Sequence, residues 1–158
     1  MIIAVDFDGT CVTHEYPKVG KEIGAALVLR WLTNNGHKII LWTMRSGRSI
    51  EYIPDTNTNP PSYIPWSNEL REAVQWFKER DISLYGINEN PEQIAWTKSP
   101  KVYANIYIDD AAIGCPLTYN PGLSDRPFVD WTTVKMMLDN ILSGSKSIGH
   151  TDLIGVNQ

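Results

Sequence analysis

Apolar positions along this chain follow two different periods. Ile2-Ile3-Ala4-Val5 is a short, largely β-branched run that stops on Asp6-Phe7-Asp8-Gly9-Thr10, the pattern of a buried parallel strand with a loop at its carboxyl end. The pattern recurs at Lys38 to Thr43, at Ile82 to Asn88 and at Ala104 to Ile108, the last ending on Asp109-Asp110. Between these runs the spacing becomes helical. Lys21 to Asn35 carries Ile23, Ala26, Leu27, Val28, Leu29, Trp31 and Leu32 and closes on Asn34-Asn35-Gly36, a helix exit signal. Ser67 is placed to cap a second helix, which reaches Arg80 on Ala73, Val74, Trp76 and Phe77. Asp130 is placed to cap a third, Trp131 to Leu142, on Val134, Met137, Leu138 and Ile141.

Strands alternating with helices predict an α/β fold, a Rossmann-like three-layer α/β/α arrangement around a mainly parallel sheet. A right-handed strand–helix–strand crossover sets the Ile2 and Lys38 strands parallel, which brings Asp6 and Thr43 to one rim. Open sheets of this kind bind ligands at the carboxyl ends of their strands.

Other stretches carry no period. Ser46 to Trp66 is rich in Pro, Asn and Thr with Tyr52, Tyr63 and Trp66 interleaved. A loop this long in a compact domain is either functional or disordered. Its aromatic anchors favour a flap ordered over the rim (46–66), with packing against a subunit neighbour or a helix as the alternative. Glu92 to Trp96 reads as a helical turn and Ile113 to Pro127 as irregular. Residues 144–158 read as a mobile tail, although Leu153, Ile154 and Val156 could dock on a neighbour, and 1–143 as one catalytic domain.

A length of 158 residues suits one domain and leaves no room for a second. No apolar run is long enough to span a bilayer, so no membrane partner is expected. The amino-terminal run is too short for a signal peptide and leads straight into an acidic loop, which makes the cytoplasm the expected location. A net charge of −4 supplies no basic face for phosphate backbones, so nucleic acid is the less favoured partner. Homo-oligomerisation stays open. Cys11 and Cys115 form no metal-binding spacing and read as reduced thiols.

The strand ends carry the chemistry. On a strand, positions two apart share a face, so the carboxylates of Asp6 and Asp8 can start on one side before Gly9 turns the chain. Like charges that close call for a cation, and hard oxygen ligands suit Mg²⁺. An acidic turn would explain the first pair alone; a calcium loop would need a third spaced oxygen ligand and a closing Glu that are missing. Asp109-Asp110 at the end of a second apolar strand, and Thr43 with Arg45 at the end of a third, make a coincidence a poor explanation.

With these residues in view the chain resembles the haloacid dehalogenase superfamily of phosphoryl-transfer enzymes. Its first motif is matched by Asp6-Phe7-Asp8-Gly9-Thr10, its strand-end Ser/Thr by Thr43, and its final acidic pair by Asp109 and Asp110. Its Lys is matched best by Lys101, with Lys98 as rival. The resemblance implies a Mg²⁺-dependent phosphatase acting on a phosphate monoester through an aspartyl-phosphate intermediate. In that reading Asp6 is the nucleophile and Asp8 the acid and base. Asp6, the Asp8 carbonyl, Asp109 and Asp110 surround the metal, while Thr43 and Lys101 hold the phosphate. Arg45 and Arg48, just beyond Thr43, could clamp a second anionic group. The stretches where the family inserts caps are too short here, which implies a capless enzyme; a small-molecule phosphate ester is the favoured partner, and the 46–66 segment is expected to set substrate choice in place of a cap. The alternatives are a phosphotransferase using the same intermediate and a non-catalytic phosphate-binding or interaction module.

Overall fold

The computed structural model describes residues 1–47 and 68–144. Arg48, almost all of the 46–66 segment, Ser67 and the tail beyond Gly144 lie outside the described residues.

Four short strands, β1 (Ile2–Val5), β2 (Lys38–Leu41), β3 (Leu84–Ile87) and β4 (Ile106–Ile108), form one parallel sheet in the order β3-β2-β1-β4. The order reverses beside β1. The chain steps outward from β1 through β2 to β3, then crosses back to place β4 on the other side of β1. A reversal of this kind opens a crevice at the carboxyl ends of the central strands, and Asp6 begins the loop there.

Side chains alternate across the sheet as a strand demands. Ile3, Val5, Phe7, Ile39, Leu41 and Ile108 face one core, shared with helices α1 (Ala25–Asn34), α2 (Glu69–Lys78) and α3 (Trp131–Gly144). Ala4 and Ile40 are buried on the opposite face, along which the β3–β4 crossover runs with a single 3₁₀ turn, Gln93–Ala95. The three-layer α/β architecture is therefore present, its second outer layer being a pinned loop more than a helix. Gln93 pins it, donating to the carbonyls of Ser99 and Lys101 at 2.9 and 2.8 Å while accepting from the Tyr103 amide at 2.7 Å.

The elements begin and end close to their sequence signals, with two instructive differences. The helix expected from Lys21 starts at Ala25, because Lys21 and Glu22 pair back onto Val12 and Thr13. Gly24, at φ 97, then redirects the chain, and the Glu22 carboxylate caps the helix by accepting from the Gly24 and Ala26 amides. The stretch expected to be irregular between Ile113 and Pro127 holds one half of a small antiparallel pair, β5 (Leu117–Thr118) with β6 (Phe128–Val129). Asp130 caps α3 as its sequence position predicts, accepting from Thr132 and Thr133. Among the described residues no helix is long and apolar enough to cross a membrane.

Phe7 joins the fold to the loop that follows β1. Its ring meets Trp76 edge-on at 5.7 Å and Phe77 at 6.2 Å, so the backbone between the two motif aspartates is anchored in the core. Phe77→Ala removes that support and should cost about 3–5 kcal/mol of unfolding free energy. Urea denaturation at unchanged slope would measure it; a loss near zero would mean that the aromatic cluster does not hold this end of the sheet.

Candidate active site

The sheet's hydrogen-bond ladder runs one residue past each strand end. The Asp6 amide donates to Ile108 O at 2.9 Å, Trp42 to Val5 O at 2.9 Å, and Asn88 to Leu41 O at 2.8 Å. The first loop then closes tightly, with the Phe7 carbonyl accepting from Thr10, Cys11 and Val12. Strand ends and loop are thereby held at a common level, and their side chains converge.

Asp6, Asp109 and Asp110 each offer a carboxylate oxygen within 4.8 Å of the others. Adjacent residues on a straight strand point apart, so Asp109 and Asp110 can share this site only if the chain turns. It does: β4 stops at Ile108, the Ala112 amide donates to Asp109 O at 3.0 Å, and the Ala111 amide donates to the Asp109 carboxylate at 2.8 Å. Asp110 is held by Thr10, whose fully buried hydroxyl accepts from the Asp110 amide at 3.0 Å and faces its carboxylate at 3.4 Å. Thr10 is fixed in turn by the Trp131 indole, which donates to its carbonyl at 2.6 Å. Gly9 has φ 81, and a Cβ there would lie 2.4 Å from Asp110 Oδ2. Only glycine fits.

This crowding raises the cost of ionisation. Burial first, and then the charges of Asp109, Asp110 and Asp8, push Asp6 up to about 7, against an opposing hydrogen bond from the Phe7 backbone. Asp110 is also pushed up, by burial and by Asp109, with His14 opposing the rise. His14, on the loop after β1, is thus close enough to feel the cluster. Burial pushes Cys11 well up, its Sγ donating to Asp6 O, and burial also raises Cys115.

Asp8 turns away from the three. Both its oxygens are taken by Arg45, Nε to Oδ2 and Nη2 to Oδ1, each at 2.7 Å. The rest of the guanidinium donates to the carbonyls of Pro17, Lys18 and Glu69, so all five N–H groups are satisfied within the chain. Arg45 is 1 % exposed. The expectation that it clamps a substrate anion is corrected accordingly: with every donor used and no exposure, it ties the first loop to the start of α2. This pairing lies 37 positions apart in the chain and was missed by sequence reasoning.

Thr43 stands two residues past β2, half-buried, its hydroxyl oxygen accepting from the Arg45 amide at 3.1 Å. Lys101 and Lys98 lie on the exposed run before β4. Among the described residues neither ammonium pairs with Asp6, Asp109 or Asp110. Arg48 lies outside the described residues. Asn88, which sequence reading took as a mere strand end, bridges β3 to Thr43 through its side chain.

The Asp6 shift makes a signed prediction for the metal-free protein. Asp6 has a folded value of about 7 against an ordinary 3.8, so between those values the native state holds a proton that the unfolded chain has lost. Stability contributed at low pH is therefore lost as pH rises through this window. With chelator present, Asp6→Asn should match the wild-type melting temperature near pH 4 and exceed it increasingly up to neutral pH. Parallel pH profiles for the two proteins would show that Asp6 carries no such strain.

No protein-family model matches the chain, and no curated protein does. A solved structure of a conserved protein from Bacteroides thetaiotaomicron is similar to it, at 28% sequence identity over 95% of this chain and 98% of that one, with a TM-score of 0.63.

Proposed function

We propose that the chain is a Mg²⁺-dependent phosphatase of the haloacid dehalogenase type, hydrolysing a phosphate monoester through a phosphorylated Asp6. The observation that carries this reading is the convergence of Asp6, Asp109 and Asp110 at the carboxyl end of a parallel sheet. An all-oxygen donor set of three carboxylates fits a hard divalent cation, and Asp6, raised by burial first and by its acidic neighbours after it, is a group whose charge such a cation would favour. The Asp8 carbonyl would complete the protein's share of the ligands. When bound, the cation supplies countercharge for the carboxylates and the incoming phosphate.

The remaining work falls to the chain. Asp6 attacks phosphorus in line, its backbone held by β4 so that the carboxylate meets the phosphate at a set distance. Thr43 donates its hydroxyl to a phosphate oxygen. Lys101, or Lys98 in its place, provides a positive charge from the β3–β4 crossover. Asp8 protonates the leaving oxygen and then activates water, which requires it to release one arm of the Arg45 fork. Two unpaired thiols fit the expected cytoplasmic setting. A small phosphate ester is the substrate class.

A second reading has one observation in its favour. An Asp8 fully engaged by a buried arginine is what a phosphate-binding module without turnover would keep, since the pair then serves the fold alone.

A broad panel of phosphate monoesters assayed with and without Mg²⁺, beside Asp6→Asn and Asp8→Asn, separates the two. The phosphatase reading expects Mg²⁺-dependent turnover that Asp6→Asn abolishes and Asp8→Asn slows by about 10²–10⁴-fold, the scale of general acid–base catalysis. Phosphate binding without turnover on any ester would favour the module. Unchanged turnover in Asp6→Asn would assign the nucleophile elsewhere.

A further inference from the structure

We propose that Asn88 is a positioning residue that fixes Thr43 as the hydroxyl donor to the substrate's phosphate. The inference deepens the phosphatase reading and rests on it, because that reading gives Thr43 its role.

β3 ends at Ile87, and the chain must then reverse. It does so at close quarters: a Cβ on Gly86 would lie 2.1 Å from Glu89 O and 3.2 Å from Pro91 Cδ. Asn88 sits inside this reversal with φ 54, a left-handed conformation that Asn tolerates better than other side-chain-bearing residues. Its own amide still donates to Leu41 O at 2.8 Å, so its backbone remains in the ladder with β2. One step further on the backbones part, and the side chain takes over. Asn88 Oδ1 accepts from the Thr43 amide at 2.8 Å, and Asn88 Nδ2 donates to the Thr43 carbonyl at 3.0 Å.

The two partners fix which way the amide faces, since a peptide N–H must meet oxygen and a peptide carbonyl must meet nitrogen. A single planar group therefore holds Thr43 at both its main-chain polar atoms. Thr43's hydroxyl oxygen is already accepting from the Arg45 amide, and its hydroxyl proton has no acceptor among the described residues. The proton is the part of Thr43 left to point at a ligand.

Two features separate positioning from other roles. Both ends of the Asn88 amide face Thr43, each with one of its hydrogen-bonding positions engaged there, so the plane of the amide is set by Thr43 and not by a ligand. The bonds also lie at an exposed rim, where they compete with water and contribute little to stability. Their consequence is orientation. With Asn88, each of the four parallel strands delivers a working residue at its carboxyl end: Asp6 after β1, Thr43 after β2, Asn88 after β3, and the acidic pair after β4.

The test uses Asn88→Gly, which keeps the left-handed backbone and removes the bridge, and Asn88→Asp, which keeps only the acceptor for the Thr43 amide. Each is combined with Thr43→Val. Steady-state hydrolysis with Mg²⁺ is measured together with binding of inorganic phosphate by calorimetry. Asn88→Gly should raise KM and weaken phosphate binding about tenfold while kcat changes little, the pattern of a lost contact shared by ground and transition states. Asn88→Asp should fall between it and wild type. In the Thr43→Val background, Asn88→Gly should add nothing, because the group it positions is gone. Additive losses in the double variant, or no loss in Asn88→Gly, would overturn the inference while leaving the phosphatase reading standing. A wild-type chain that neither turns over esters nor binds phosphate would overturn both.

Discussion

Mutual repulsion among three carboxylates is the constraint on which the rim of this protein depends. Asp6, Asp109 and Asp110 bring like charges within 4.8 Å of one another, and burial, with that repulsion added, raises Asp6 to about 7. Several features of the fold make sense as restraints against that repulsion. β1 is flanked by β2 and β4, and the Asp6 amide is bonded across to Ile108. Phe7 drives the intervening backbone into an aromatic core. Thr10, fixed by Trp131, holds Asp110 by its amide, and a glycine at position 9 lets the loop approach that carboxylate. Strain kept by so many independent contacts is characteristic of functional sites more than of ordinary turns.

The fourth motif carboxylate is treated differently. Asp8 is neutralised by Arg45, whose remaining donors reach the carbonyls of Pro17, Lys18 and Glu69. Removing either partner would leave a poorly solvated charge, so the pair is expensive to break from one side alone. It also links the loop after β1 to the first residue of α2, the helix that follows the undescribed 48–67 segment. One loop thus contains two electrostatic regimes: a carboxylate with its charge satisfied by the protein, and one, two residues away, with its charge opposed.

What could be read from sequence follows from how local the determining physics is. The four strands and three helices were legible because burial imposes a period on the side chains themselves, as in Ile2 to Val5 and Trp131 to Leu142. The acidic strand ends were legible for the same reason, since Asp6 and Asp109 sit directly after their apolar runs. Arg45 was misread because its partner, Asp8, is chosen by how two loops fold over each other. Asn88 was passed over because its role depends on a left-handed turn and on the neighbouring strand, neither of which leaves a pattern in one sequence. The helix expected from Lys21 was overridden by tertiary pairing of Lys21 and Glu22 with Val12 and Thr13. The β5–β6 pair involves two residues on each side, too few for any period to emerge.

The proposed chemistry requires Asp6 to become covalently phosphorylated in a site that its neighbours hold together. Acid-quenched peptide mapping by mass spectrometry, on the Asp8→Asn protein mixed with p-nitrophenyl phosphate and Mg²⁺, tests this, because a good leaving group departs without the Asp8 proton while hydrolysis of the adduct still lacks its base. One phosphoryl group is expected on the peptide containing Asp6, and none when Mg²⁺ is withheld. A phosphoryl group on any other residue would contradict that chemistry, as would turnover by this protein with no adduct on Asp6.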